Sequence, residues 1–452
     1  MESARELGGG APHAVSDGLR RRLDPPASVR EIVARLERAG YETWCVGGAV
    51  RDALLGQAHL DWDLATAATP SQVMNVFKRT VPVGVAFGTV GVLDEAGTLH
   101  EVTTFRRDVK TDGRHAEVAF GASLDDDLAR RDFTINAIAY HPQREELRDP
   151  FDGQLDLKRG LVRAVGEPVQ RMREDRLRAL RGIRFAGRFG FHIEPATWRA
   201  IVSSAPHLGS LSGERVQQEL VKTMQQVEKP SVSMRWWRES GALRTLLPVI
   251  ADAPDDRFEA LDFLPRGEGD EEPGRTLDRL AMLFFGTDPA AVRPALGALK
   301  CSNAQQGWIT ALAKSEREIG GTVDAVLAER VPTAAEVRRW VAAVGRMRSM
   351  SFFGLVSARW HARLAHEPRE AVSQRLVELR TMAGHAAFHE PVEVGDLAVT
   401  GEDLIRVGVT SGPQVGQVLR TLLDWVLDDP ARNQRDDLLA RARSGPSGAA
   451  RE

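Results

Sequence analysis

The 452-residue chain predicts an α+β fold, a head with a short mixed β-sheet followed by an all-helical remainder. Three observations carry this. Strand-like runs between glycine turns are confined to residues 26–153. Helix-spaced apolar residues then dominate to residue 385, with Pro/Gly-rich breaks near 205–213, 251–274 and 287–303. Apolar content of 42% with 27% charged residues is that of an ordinary globular protein. This length accommodates two to four domains with ample cores.

In chain order, residues 1–25 read as a disordered extension without the basic-then-apolar pattern of a signal peptide. Residues 26–42 place Val29, Ile32, Val33 and Leu36 on one helical face. A short apolar strand then leads to Gly47-Gly48, a helix of one or two turns through Leu55, and a strand carrying Asp61-Trp62-Asp63. Thr69 and Pro70 open a short helix, PSQVMNVFK. Residues 81–105 read as strand, glycine-rich turn and hairpin, turning at Asp94–Gly97. Residues 106–124 are polar and read as a mobile loop. DDDLARRDFTINAIAY reads as a helix with Leu128, Phe133, Ile135 and Ile138 toward a core and Arg130, Arg131, Asp132 and Asn136 elsewhere. Asp149–Gly153 is the turn that closes the head, and residues 445–452 form a frayed end.

Composition narrows the function class. No apolar run approaches eighteen residues, so no membrane span is expected. Cys45 and Cys301, far apart in apolar surroundings, point to a reducing, cytoplasmic setting. The net charge of −3 conceals an asymmetry: residues 158–188 hold ten basic and three acidic residues, a local +7, whereas 252–272 are acidic. A clustered positive stretch is what phosphate recognition requires.

Two constellations carry chemistry. On a strand, Asp61 and Asp63 point the same way, and paired carboxylates repel unless a divalent cation joins them. Mg²⁺ combines one or two carboxylates with polyphosphate oxygens. Gly47-Gly48 let backbone N–H groups approach a phosphate, and Arg51 adds a cation. If the strand holding Glu101 lies beside that of Asp63, Glu101 is a third carboxylate; a solvated strand glutamate is the competing reading. In the expected helix 174–191, Asp175 and Arg178 are three apart and so share a face, offering an acceptor and a donor to the edge of a base. Arg181 and Arg184 continue at the same interval, placed to reach phosphates.

The motifs GGAVRD (47–52), DWD (61–63), EVTTFR (101–106), DGRH (112–115), RRDFTINA (130–137), EDRLRALRGIRF (174–185) and GERVQQEL (213–220) occur together in order. In this the chain resembles the class II tRNA nucleotidyltransferases, the family of CCA-adding enzymes and bacterial poly(A) polymerases. Residues 392–442 resemble the tail of that family. The resemblance implies a polymerase-β-like nucleotidyltransferase head (26–153), a nucleotide-selecting neck (154–230), and a helical body (231–385) and tail (386–444) that bind tRNA. It implies Asp61 and Asp63 as catalytic metal ligands and Mg²⁺ as the ion; Glu101 is a further catalytic candidate on the strand placement given above. Gly48 and Arg51 would hold the triphosphate, Arg131 would contact the nucleotide as well, Asp175 and Arg178 would read the base, and Arg181 and Arg184 would support base and phosphate. The implied reaction is template-independent addition of CMP and AMP to the tRNA 3′ end from CTP and ATP, without an obligate protein partner.

Alternatives within the family are CC-only or A-only addition and polyadenylation. An apolar VPVGVAFGTV (81–90), where the poly(A) polymerases carry an Arg-rich insert, argues against the last, and DGRH with a full-length loop argues against CC-only addition. LDRLAMLFFGTDPAA (277–291) lacks the His-Asp pair of the phosphohydrolase domain that some relatives carry. A non-catalytic RNA-binding protein is the reading from a different class.

Overall fold

The structure is a computed structural model that describes residues 13–14 and 22–444, apart from 58–60, 112–115, 266–272 and 367–369. Most of the expected N-terminal extension, the C-terminal end and the DGRH motif therefore lie outside the described residues. The chain divides into two compact units, Met1–Glu219 with Trp236–Leu246, and Leu220–Arg235 with Leu247–Glu452. The stretches expected as head and neck fall largely in the first.

The first unit is built on an eight-stranded mixed sheet. Its strands are β1 (His13–Ala14), β2 (Thr43–Val46), β3 (Asp63–Thr66), β4 (Thr80–Gly84), β5 (Thr89–Leu93), β6 (Leu99–Thr104), β9 (Ala139–His141) and β10 (Glu146–Arg148), in the order β1-β10-β9-β2-β3-β6-β5-β4. β3 and β6 run parallel, Leu64 opposite Val102, and the other pairs are antiparallel. Helix α1 (Ala27–Arg38) buries Val29, Ile32, Val33 and Leu36, the face that their spacing predicts. Helix α2 (Gly48–Leu54) follows β2 directly. The joint between them is Gly47, at φ 74° and ψ −132°, a backbone region that side chains disfavour. Helix α3 (Pro70–Val76) is opened by a capping box between Thr69 and Gln72, with Pro70 in its first turn. A core of Trp44, Val46, Ala65, Phe105, Leu124 and Leu128 fixes one face of the sheet.

Two expectations give way. Within the stretch 106–124 expected as a mobile loop, β7 (Arg106–Thr111) and β8 (Ala116–Phe120) pair antiparallel as a separate two-stranded sheet. The helix expected through residue 140 stops early. Helix α4 (Leu124–Ala129) ends at Arg130, a 3₁₀ turn spans Thr134–Asn136, and β9 follows. Phe133 bridges Ala164, and the Thr134 N–H donates to the Arg163 carbonyl, so tertiary pairing displaces helical hydrogen bonds. Leu128, Phe133, Ile135 and Ile138 are buried nonetheless.

After α5 (Gly153–Arg159), two helices meet at a corner: α6 (Pro168–Glu174) and α7 (Leu177–Phe189). Asp175 lies between them in extended backbone, φ −149° and ψ 107°. The expected continuous helix 174–191 is thus broken at the residue assigned to base reading.

The second unit is helical. The helices Arg346–His366 and Glu370–His389 are its longest described elements. Buried Arg279 donates to the carbonyls of Met224, Val227 and Leu264, and so ties three backbone segments together. A separate cluster of Leu397, Val399, Leu404, Leu422, Val426 and Leu438 forms the core near the C-terminus.

Candidate functional site

A cleft of about 560 Å³ opens in the first unit, lined by Gly47, Gly48, Arg51, Asp63, Glu101, Arg131, Asp175, Arg178 and Arg181 among others. The parallel β3–β6 pairing, one step beyond Leu64 opposite Val102, brings Asp63 beside Glu101. Asp61 precedes β3; it is exposed, Trp62 is buried, and Asp63 is open to solvent again, the alternation of an extended chain. Asp61 does not line the cleft, but it stands close enough to act on Asp63. Although Asp63 faces the open cleft, the walls crowded around it displace much of the water from its carboxyl, and Asp61 and then Glu101 add like charge; together they push its pKa up to about 6 against relief from Arg131.

Cations stand nearby in fixed positions. Arg131 donates to Asp127 at 3.1 Å, its Nη1 lies 3.5 Å from the Asn136 carbonyl, and its buried Nε has no partner among the described residues. A Cβ at Gly47 would stand 2.9 Å from Arg131 Nη1, so the glycine makes room for this guanidinium as well as for the turn. Arg51 is buried, bonded to Asp52 at 2.7 Å and to Asn136, with its guanidinium over the Phe185 and Phe189 rings. Arg188 closes on Asp52 at 3.0 Å, which ties α2 to α7.

The helical corner supplies the remaining wall. Asp175 accepts from the Leu177 N–H at 3.0 Å and from Arg215 at 2.8 Å. Arg178, in the first turn of α7, donates to Glu174 and to the Arg130 carbonyl, both at 2.8 Å, and to the Arg171 carbonyl at 3.1 Å. Arg181 bonds Asp132 at 2.7 Å. Burial opposes the Asp132 charge, but Arg181 and Asn136 outweigh it and hold that carboxyl well below the usual range. Arg184 does not line the cleft: it is 3% exposed and pairs with buried Glu219 at 2.7 Å, with Phe185 under its guanidinium. The expectation that it supports base and phosphate thus meets a side chain packed behind α7 and away from the cleft lining.

The sequence reading overlooked Asn136, Asp132, Glu174 and Arg215. The first two stand in RRDFTINA, on the side that its apolar spacing turns away from a core, and Arg215 stands in GERVQQEL. Burial pushes the Cys45 thiol far up, and Cys301 is buried, so neither is a nucleophile. Among the described residues no helix is long and apolar enough to cross a membrane.

Residues 43–163 match the poly(A) polymerase head domain family, and residues 190–253 a family described as the probable RNA- and SrmB-binding site of polymerase A. The CCA-adding enzyme of Limosilactobacillus fermentum is 33% identical over 426 residues, 91% of this chain and 95% of that protein. That of Geobacillus kaustophilus is 35% identical over 416 residues, 90% and 94% of the two chains. The crystal structure of the Bacillus stearothermophilus CCA-adding enzyme in complex with CTP, 29% identical, matches 93% of this chain and 98% of its own with a TM-score of 0.71. Near-complete coverage at this identity leads to one conclusion: the chain belongs to the CCA-adding enzymes, a family of nucleotidyltransferases.

Proposed function

We propose that this protein adds CMP and AMP to the 3′ end of tRNA from CTP and ATP, releasing pyrophosphate, and that a single cleft both selects the nucleotide and transfers it. The observation that carries the reading is that Asp63 and Glu101 line the same 560 Å³ space as Asp175 and Arg178.

Enzymes of this family need a divalent metal, and the donor set fits one. Burial in the cleft, with the like charges of Asp61 and then Glu101 added, raises Asp63 to about 6, and oxygen donors suit a hard cation. Among the described residues no three such side chains form a ready-made cage, which accords with Mg²⁺ taking further ligands from phosphates and water. Asp61, Asp63 and Glu101 are the residues that would hold it; when bound it supplies charge neutralisation at the triphosphate and acidifies the attacking hydroxyl.

The chain's own residues bind and orient. The guanidinium of Arg131, which lines the cleft, offers a cation to a phosphate oxygen, and charge-assisted contacts of this kind are the strong ones. Arg51, held by Asp52 and Asn136, contributes a cation that reorganises little on binding. The Asp175 carboxylate accepts from an exocyclic amino group, which cytosine and adenine both carry, while Arg178 donates to the ring edge. Their bonds to Arg215 and to Glu174 fix both groups before the nucleotide arrives. The test uses tRNAs ending before CCA, after C and after CC, each given CTP and ATP separately. Full addition predicts CMP on the first two and AMP on the third; CMP alone or AMP alone identifies a split-specificity enzyme.

A further inference from the structure

The open face of the sheet continues past the carboxylates. On β6, His100, Val102 and Thr104 are buried, while Leu99 and Glu101 are exposed on the opposite face. Gly91 of β5 pairs with Glu101, and Val81 of β4 pairs with Gly91, so all three belong to the Glu101 face. Leu99 and Val83 close over Gly91: a Cβ there would stand 2.5 Å from Leu99 Cδ1 and 2.9 Å from Val83 Cγ2. The result is a shallow apolar apron. Val81, Val83 and Leu99 are 39%, 46% and 40% exposed, and Phe87, in the turn between β4 and β5, is 54% exposed. Leu99 is two residues from Glu101, about 7 Å by strand rise, within the length of one nucleotide.

We propose that this apron seats the unpaired terminal bases of the RNA whose 3′-hydroxyl is extended, an inference that rests on the transfer reading above. Two observations choose this occupant. The apron is continuous in register with Glu101, so whatever lies on it adjoins the reacting end, while Asp175 and Arg178 serve the incoming base. β4 is also the last strand of the sheet, and Pro82 together with the register shift between Val81 and Gly84 interrupts its outer edge. An edge guarded in this way does not take up another strand, so the occupant lies on the face. Stacking on apolar and aromatic side chains tolerates any base, as an end whose last base changes during extension requires.

The experiment compares wild type, Val83→Asp and Phe87→Ala on a tRNA lacking CCA and on the same RNA with an abasic terminal nucleotide. CTP affinity is titrated without RNA, and melting temperature and sedimentation are recorded. Both side chains are exposed, so melting stays unchanged. Phe87→Ala raises the KM for RNA about tenfold, within the roughly five- to 150-fold expected of one base–aromatic stack, Val83→Asp raises it in the same direction, and CTP affinity holds in both. The abasic end raises the KM of wild type similarly, and combining the two changes adds no further penalty. An unmoved KM, a parallel fall in CTP affinity, penalties that multiply, or a dimer that Val83→Asp dissociates would overturn the proposal. Wild-type protein that extends none of these RNAs overturns the transfer reading, and the seat with it. Active wild type with unaffected variants overturns the seat alone.

Discussion

Glu219→Gln removes the charge that compensates Arg184 in the interior of the first unit. The pair is bonded at 2.7 Å between Nε and Oε2 and at 3.4 Å between Nη2 and Oε1, with side chains 4% and 3% exposed, so solvent screens it little. Arg181 also approaches Glu219, at 4.0 Å. Breaking a buried pair by removing one partner destabilises by about 3–5 kcal/mol, because a desolvated charge is left behind. At about 2–4 °C per kcal/mol for a unit of this size, the thermal transition should fall by roughly 6–20 °C. Replacing both partners, Arg184→Met with Glu219→Leu, removes both desolvation penalties and should recover most of the loss. Differential scanning calorimetry on the three proteins, with CTP titrations alongside, separates two roles for Arg184. A positioning role moves melting and leaves CTP affinity of the double variant near wild type. A drop below about 2 °C in Glu219→Gln, or a double variant that melts normally but has lost CTP, would refute the reasoning.

Three further outcomes follow from the cleft. Gly47→Ala places a Cβ 2.9 Å from Arg131 Nη1 at a φ of 74°; strain of about 1–3 kcal/mol and a displaced guanidinium should lower kcat/KM for CTP at least tenfold, and unaltered kinetics would contradict this. Asp63 carries a pKa raised to about 6, so its contribution to stability is present below the ordinary carboxylate pKa and lost as pH rises through 6. In chelator, the melting temperature of Asp63→Asn relative to wild type should therefore rise between about pH 4 and 6 and level off above about pH 7; a constant difference across that range would show that the carboxyl is not perturbed. Asp175→Ala should incorporate CTP and ATP weakly and without preference, losing about 1–3 kcal/mol of discrimination, and intact selectivity in a competition assay would remove Asp175 from base reading.

Much of the fold was legible because local chemistry and tertiary packing agree. The spacing of Val29, Ile32, Val33 and Leu36, the Thr69–Pro70 start and the Asp94–Gly97 turn all say in sequence what the packing says in space. Glu101 was open to two readings because its role depends on which strands pair, and only the β3–β6 register decides that. The segment from Arg130 to His141 misled because its apolar spacing also suits a helix, while its backbone bonds run to Arg163 and Ala164 far along the chain. Asp175 looked helical by periodicity. Its side chain instead accepts from the Leu177 N–H, the local competition that makes Asp a poor helix-interior residue. Arg184 looked available because it continued a row of arginines, and only Glu219, 35 residues later, shows it to be buried and paired.

Asp63→Asn, assayed by single-turnover CMP transfer at saturating CTP and tRNA, bears most directly on the whole account. The rate should fall at least a hundredfold, as loss of several kcal/mol of charge stabilisation requires, with tRNA affinity within about twofold of wild type since its phosphate contacts are untouched. Transfer at near-normal rate by this variant would mean that the chemistry happens elsewhere.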